Sequence, residues 1–277
     1  MNKTVQNYYD YTMPYYRLFW HGKSRAVHYG IWDKYTKNLQ EALLNTNRIL
    51  VDLLKIKPGN KVLDAGCGVG GSSIWIAKNI KAHVTGITIS NNQLRKAKSL
   101  AQKNQVSDLT DFFLMDYTKT SFPDKTFDVV FGIESVCHAN PKIDFLKEAY
   151  RILKPGGKFA VVDGYLNRDP KNPKEQEWLA DFYEGMALQS LDKVPDFIES
   201  AKIAGFKKVK FIDKSQEIMP SSKIIHDMCV YGYPISQVLE KLHIFPHLMT
   251  TNCKAGLTQY ESMKVGMGKY GIIYGEK

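Results

Sequence analysis

The 277-residue sequence has four cysteines, Cys67, Cys137, Cys229 and Cys253, and none of them forms a Cys-x-x-Cys pair or a Cys/His spacing suited to zinc. No metal site is therefore expected, and four cysteines in a chain of this length do not make a disulfide scaffold. No stretch approaches the ~18–20 consecutive apolar residues of a membrane span. The segment Met1 to Tyr16 is polar and aromatic and lacks the apolar core of a signal peptide, so a cytoplasmic protein is expected. Runs of like charge are absent too. The formal net charge of +10 brings nucleic acid, membrane surfaces and anionic ligands into consideration, but the lysines are spread along the chain with no basic arm. What is present is a globular composition, 44% hydrophobic and 24% charged, long enough to bury a sizeable core.

Three zones follow one another without a low-complexity linker. The first, residues 1–55, is an aromatic cap containing Tyr8, Tyr9, Tyr16, Trp20 and Tyr29, and it closes on a helical pattern over Asn38 to Leu54. The second, 56–165, alternates short apolar runs with helical patterns, the signature of βαβ units and a parallel sheet. Strands are expected at Lys61–Ala65, Ala82–Ile87, Thr110–Met115, Phe127–Gly132 and Lys158–Val162. A helix after Ser90 and another over Pro141–Leu153 lie between them. The third zone, 166–277, reads as helices at Pro173–Leu188, Pro195–Ala204, Lys223–Leu242 and Ala255–Val265. Strands are expected there at Phe206–Ile212 and Tyr270–Gly275.

The strongest signal is Val62-Leu63-Asp64-Ala65-Gly66-Cys67-Gly68-Val69-Gly70-Gly71, at the end of the first strand and the start of a helix. Glycines there allow a tight turn and a close backbone approach to a ligand, and the helix N-terminus favours an anionic group. Nicotinamide, flavin and methyl-transfer enzymes all use such a loop, so the loop alone does not choose among them. Its surroundings do. An acid followed by x-G-x-G-x-G, then Asp116-Tyr117, Phe127-Asp128 and Leu153-Lys154-Pro155-Gly156-Gly157 in that order, resembles the class I S-adenosylmethionine-dependent methyltransferases. The resemblance covers Ile56 to Val162. It implies an α/β fold: a Rossmann-like, doubly wound seven-stranded sheet, mostly parallel with an antiparallel last strand. Helical caps would come from the N-terminus and from insertions after the fifth and sixth strands, all in one methyltransferase domain over 1–277.

Thr88-Ile89-Ser90-Asn91-Asn92-Gln93 is similar to the Thr-x-Ser-x-x-Gln segment of one branch of that class. The branch holds sterol C-methyltransferases, tocopherol methyltransferases, cyclopropane fatty acid synthases and phosphoethanolamine methyltransferases. By this resemblance S-adenosylmethionine is the cofactor. Thr88, Ser90 and Gln93 would serve its ribose, Asp116 and Tyr117 its adenine, and Gly66, Cys67 and Gly68 its methionyl part. Asp64 would act through the ammonium or a water, and Tyr29 and Gly30 of His28-Tyr29-Gly30 would close over the cofactor. Ile133-Glu134-Ser135-Val136-Cys137-His138-Ala139 resembles the sterol methyltransferase segment. Glu134, also near the cofactor, and His138 are the acid/base candidates, each equally open to a positioning or helix-capping role.

For the acceptor pocket, Tyr8, Tyr9, Tyr16 and Trp20 are expected to face a cationic centre, with Phe182, Tyr183, Met186 and Tyr231 forming the lid. His21-Gly22-Lys23-Ser24-Arg25 either meets an anionic head or is a solvated turn. A lipophilic or anionic small-molecule acceptor methylated on carbon is the first expectation, and N- or O-methylation of an amine or phenol the second. No Asn-Pro-Pro-Tyr motif or RNA-binding module supports a nucleic-acid partner. Peripheral membrane contact and the oligomeric state stay open.

Overall fold

A computed structural model describes residues 3–20, 22 and 24–277, with the backbone alone for 16–19. Its sheet contains β1 (Lys61–Ala65), β2 (His83–Thr88), β3 (Thr110–Leu114), β4 (Phe127–Ile133), β5 (Leu153–Leu166), β6 (Lys207–Asp213) and β7 (Gly268–Glu276). The order is β3-β2-β1-β4-β5-β7-β6. Pairing is parallel from β3 through β5, and β7 runs antiparallel to both β5 and β6. This is the mostly parallel seven-stranded sheet that the motif order implied. The strand order reverses between β1 and β4, and in open α/β sheets that switch point leaves a crevice beyond the carboxyl ends of the strands.

Strand β1 shows why the sheet is central. Val62 and Leu63 are adjacent, both essentially inaccessible, and belong to two different hydrophobic clusters because successive side chains leave opposite faces. One cluster lies under α2 (Leu39–Leu54), α3 (Gly71–Ile80) and α4 (Asn91–Lys103), and includes Leu50, Ile76, Val84 and Phe131. The other lies under α5 (Lys142–Ile152) and α7 (Val194–Ile203), with Phe145, Phe159, Phe197 and Phe206. Helix starts are fixed locally. Asn38 caps α2 by accepting from Glu41 N, Ser90 caps α4 through Gln93 N, and Asn172 caps α6 (Pro173–Gly185) through Glu175 N. Each such cap contributes about 1 kcal/mol. The Phe127-Asp128 motif also has a structural role: Asp128 accepts from Lys61 N at 2.7 Å and from Lys154 Nζ at 2.6 Å, tying β4 to β1 and β5.

Four elements depart from the sequence reading. The aromatic start is a helix, α1 (Lys3–Phe19), although Pro14 lies inside it. Val5, Tyr8 and Thr12 form its buried stripe, a helical period hidden among tyrosines whose intrinsic preference is for strands. Strand β5 begins at Leu153 rather than Lys158, since Leu153 pairs with Phe127 before a register shift. Helices α8 (Met219–Lys241) and α9 (His247–Lys264) are longer than expected, and α9 starts two turns before Ala255, directly after Pro246.

Candidate active site

From Ala65 the chain turns through Gly66 and Gly68, whose φ values of 88° and 53° lie in the left-handed region, before α3 begins at Gly71. A Cβ on Gly66 would stand 2.4 Å from Ser135 Cβ, whereas one on Gly68 would meet nothing within 4 Å. Packing against the end of β4 therefore requires the first glycine. The second leaves bare backbone facing the crevice. There a cavity of about 210 Å³ opens beyond the ends of β1, β2 and β4.

Of the residues expected at the cofactor, Asp64, Gly66, Cys67, Gly68, Thr88, Gln93, Asp116, Tyr117 and Glu134 line this cavity. Tyr29, Gly30 and Ser90 do not, and each has another task. Ser221 Oγ accepts from Gly30 N at 3.0 Å and from Trp32 Nε1 at 2.9 Å, so the His-Tyr-Gly segment is fastened to α8. Tyr29 N donates to Glu134 Oε1 at 2.7 Å, and Tyr29 Oη donates to Gln259 Oε1 at 2.7 Å on α9. Ser90 is fully buried; its hydroxyl caps α4 and donates to Asp10 at 2.5 Å. Thr88 Oγ1 donates to Gln93 Oε1 at 2.6 Å, which keeps these two residues together on the cavity wall.

Two buried carboxyls line the same space. Burial raises Asp64 to about 7 against the hydrogen bond from Ser73 Oγ, 2.6 Å from Oδ2. Glu134 is raised further, to about 8, again chiefly by burial. Its backbone adopts φ 45°, and its Oε1 accepts from both Tyr29 N and Tyr270 Oη, each at 2.7 Å. A left-handed glutamate costs on the order of 1 kcal/mol, offset here by two buried hydrogen bonds that hold the side chain at the cavity. Behind it, burial holds Asp163 at about 6, where it accepts from Cys137 N at 2.9 Å.

On the acceptor side, Tyr9 and His138 line the cavity together, with Tyr9 Oη 3.0 Å from His138 Nε2. Burial depresses His138 to about 4, so its ring is neutral near pH 7 and able to accept a proton. Among the described residues, Tyr9 is the one expected acceptor-pocket aromatic that lines this cavity. Tyr8 sits behind it, buried, 2.9 Å from Asn252 Nδ2 and edge-on to the Tyr9 ring. Trp20 is buried against Ala26 and Leu43 and donates to His28 O at 3.1 Å. Phe182 and Tyr183 lie on α6 and Met186 follows it; all three are half-buried and none reaches the cavity. Tyr231 is 75% exposed on the outer side of α8. The side chain of Tyr16, like His21 and Lys23, lies outside the described residues. The reason is geometric: consecutive aromatics on a helix leave at about 100° to one another, so Tyr8 and Tyr9 cannot both face one cavity.

Of the His21–Arg25 segment, Arg25 lines the cavity beside Gly71 and Ser72 at the start of α3. Other residues were missed. From far away in sequence, Tyr270 holds the lining Glu134, while Ser221, Gln259 and Asn252 hold Gly30, Tyr29 and Tyr8 behind the lining. Only the fold brings them there, and no local motif marks them.

The donor set fits a cationic nucleoside such as S-adenosylmethionine. It offers bare backbone at Gly68, a buried acid at the end of β1, polar side chains at the end of β2, and an acid followed by a tyrosine after β3. Asp64 has room in charge as well as in space, because a ligand ammonium would relieve the unfavourable ionisation that burial imposes.

Comparison with known proteins agrees. A family model described as a methyltransferase domain matches residues 63–161. The chain is 34% identical over 207 residues to cycloartenol-C-24-methyltransferase 1 of Oryza sativa subsp. japonica, covering 74% of this chain and 59% of that one. It is 34% identical to a sterol 24-C-methyltransferase of Gibberella zeae, covering 73% and 55%. The chain thus spans between half and three-fifths of the length of these relatives. Among solved structures, the cyclopropane synthase MmaA2 from Mycobacterium tuberculosis superposes with a TM-score of 0.85 at 17% identity, covering 99% and 98% of the two chains. Geranyl diphosphate C-methyltransferase from Streptomyces coelicolor, solved with S-adenosyl-L-homocysteine, gives 0.75 at 18% identity, covering 99% and 98%. With the glycine loop, the ordered motifs and the β3-β2-β1-β4-β5-β7-β6 sheet all in place, the chain belongs to the class I S-adenosylmethionine-dependent methyltransferases.

Proposed function

We propose that this protein methylates a carbon atom of a lipophilic, isoprenoid- or sterol-like small molecule, working in the cytoplasm as one methyltransferase domain over residues 1–277. S-adenosylmethionine supplies a methyl group already activated on a sulfonium. Asp64 takes the ammonium of that cofactor, Thr88 and Gln93 its ribose hydroxyls, and Asp116 and Tyr117 the adenine end. The glycine loop gives the methionyl part a surface of backbone amides. Aligning donor and acceptor in a closed site is worth up to ~7–11 kcal/mol of barrier.

The observation that carries the carbon reading is Glu134. It is a buried carboxyl fixed by a cap amide and a β7 tyrosine, and it stands in a cavity whose other walls include Val5, Val27, Val69 and Ile133. Once the positive sulfonium ionises it, an acid held there is suited to stabilise a positive carbon and to accept the proton that must leave it; a general base of this kind contributes ~10²–10⁴-fold. The sterol C-methyltransferase relatives support the same chemistry. N- or O-methylation is the second reading, favoured by the Tyr9–His138 hydrogen bond: Tyr9 Oη takes the acceptor proton and hands its own to neutral His138 Nε2.

The test is product identification. Labelled S-adenosylmethionine is incubated with an isoprenoid alkene, a Δ24 sterol, a primary amine and a phenol. Carbon-bound label, lost in Glu134→Gln while cofactor affinity is kept, is the expected result. Label on nitrogen or oxygen, responding chiefly to His138→Ala, would overturn it in favour of the second reading. Unchanged turnover in both variants would remove both residues from the chemistry.

A further inference from the structure

Helices α8 and α9 pack antiparallel. Ser222 Oγ donates to Gln259 Oε1 at 2.6 Å near one end of the contact, and Thr250 Oγ1 donates to Ser236 O at 3.3 Å near the other. Between these bonds the two helices carry the same four-residue pattern, Cys229-Val230-Tyr231-Gly232 and Cys253-Lys254-Ala255-Gly256. Each cysteine faces the glycine of the other helix. A Cβ on Gly256 would overlap Cys229 Sγ, and one on Gly232 would stand 3.8 Å from Cys253 Sγ. The glycines thus make room for both sulfurs between the helices, where the two thiols share a hydrogen bond. Both side chains are half-buried and keep partial access to solvent. Cys67 in the glycine loop and Cys137 before His138 stand apart from this pair, and burial raises both of their thiols well above the usual range.

We propose that Cys229 and Cys253 are a dithiol that hydrogen peroxide converts reversibly into a disulfide between α8 and α9. The shared hydrogen bond lowers the Cys253 thiol and raises that of Cys229, so Cys253 supplies the thiolate, the species that attacks an oxidant. Its sulfur attacks one peroxide oxygen, the O–O bond breaks, and hydroxide leaves with the proton that Cys253 gave up, forming water and a sulfenic acid. Cys229 sulfur then attacks that of Cys253, and the sulfenic hydroxyl leaves with the Cys229 proton as a second water. The two thiols lose two electrons in all, and the peroxide gains them. A reducing compartment keeps such a pair as thiols until an oxidant arrives. Neither sulfur lines the cofactor cavity. The helices they join hold its brace, since Gln259 on α9 fixes Tyr29 and Ser221 on α8 fixes Gly30. The bond therefore fastens the brace without entering the cavity. It closes a loop of about 25 residues and should raise the melting temperature by roughly 5–10 °C.

Disulfide mapping of the full chain tests this. The reduced protein, freed of reductant, is treated with a slight excess of hydrogen peroxide at neutral pH. It is then quenched with N-ethylmaleimide in denaturant and digested without reduction for mass spectrometry. The expected result is one linked peptide pair, Cys229 to Cys253, with Cys67 and Cys137 alkylated and the link lost on adding dithiothreitol. The oxidised chain should melt higher than the reduced one and bind S-adenosylhomocysteine with unchanged affinity, whereas Cys253→Ser, treated alike, should show no rise. In Cys229→Ser the sulfenic acid has no partner, and dimedone should label Cys253 at least tenfold more than in wild type. The proposal is overturned if peroxide leaves all four thiols free, if wild-type Cys253 stops at a sulfenic or sulfinic acid, or if the disulfide joins other cysteines or two chains. It is also overturned if the linked chain melts no higher than the reduced one or loses S-adenosylhomocysteine.

Discussion

Asp64 offers a quantitative test of how the cofactor is held. Its carboxyl is 3% exposed and, by burial, sits at about 7 before any ligand binds, so at pH 7 it carries a proton about half the time. An ammonium placed ~4 Å away interacts with a carboxylate by ~4 kcal/mol at an effective dielectric near 20, enough to lower such a group by about three pH units. Binding should then release about 0.5 proton at pH 7 and about 0.9 at pH 6, and affinity should fall toward tenfold per unit below pH 7. Calorimetry in buffers of different ionisation enthalpy reads the number directly. Glu134, at about 8, releases a proton as well if the sulfonium ionises it. The two are separable, because S-adenosylhomocysteine keeps the ammonium and loses the sulfonium charge. Release by Asp64 should persist with S-adenosylhomocysteine and vanish in Asp64→Asn, and release by Glu134 should vanish with S-adenosylhomocysteine. Equal proton release by wild type and Asp64→Asn at pH 6–7 would refute the assignment of Asp64 to the ammonium.

Other consequences follow from the same geometry. Gly66→Ala drives a methyl into Ser135 at a left-handed φ and should destabilise by several kcal/mol in urea unfolding, whereas Gly68→Ala, in open space, should cost only ~1 kcal/mol yet weaken cofactor binding at least tenfold. If both glycines behave alike, the distinction between packing and ligand contact fails. His138, depressed to about 4 from 6.5, leaves the unfolded chain as the better proton binder between those values, so its contribution is present above pH 6.5 and is lost as pH falls through 4. That amounts to about 3 kcal/mol, read as the difference between wild type and His138→Gln at pH 7 and pH 4. Asp64, Asp163 and Glu134 work in the opposite direction: raised by burial, they favour the fold at low pH and lose that contribution as pH rises through about 6–8. Asp163→Asn should therefore gain stability relative to wild type at pH 9 compared with pH 5, and no such gain would mean that Asp163 is not desolvated. Phe159→Ala, emptying a fully buried site, should cost about 3–5 kcal/mol in the same unfolding assay.

What the sequence determined by itself was everything carried by short-range chemistry. The strand–glycine–helix unit at Val62 to Gly71 is legible because its φ values and its close approach are local demands on local residues. The parallel sheet is legible because buried strands and amphipathic helices alternate with their own periods. Asp64, Thr88, Gln93, Asp116 and Glu134 reached the cavity for that reason: each lies at the end of a strand or in the segment that follows it, and the fold places those ends together. Only the tertiary structure decided what depends on residues far apart in the chain. Tyr29 proved to be a brace on Glu134 rather than a wall of the cavity, because Gln259, Tyr270 and the Ser221-anchored Gly30 fix it from other elements. Tyr8, Trp20 and Tyr231 shared an aromatic character with Tyr9, but the direction in which each leaves the backbone was set by docking. Composition carries no such direction. A residue type states which contacts are affordable to a side chain, and the packed backbone chooses which of them it makes.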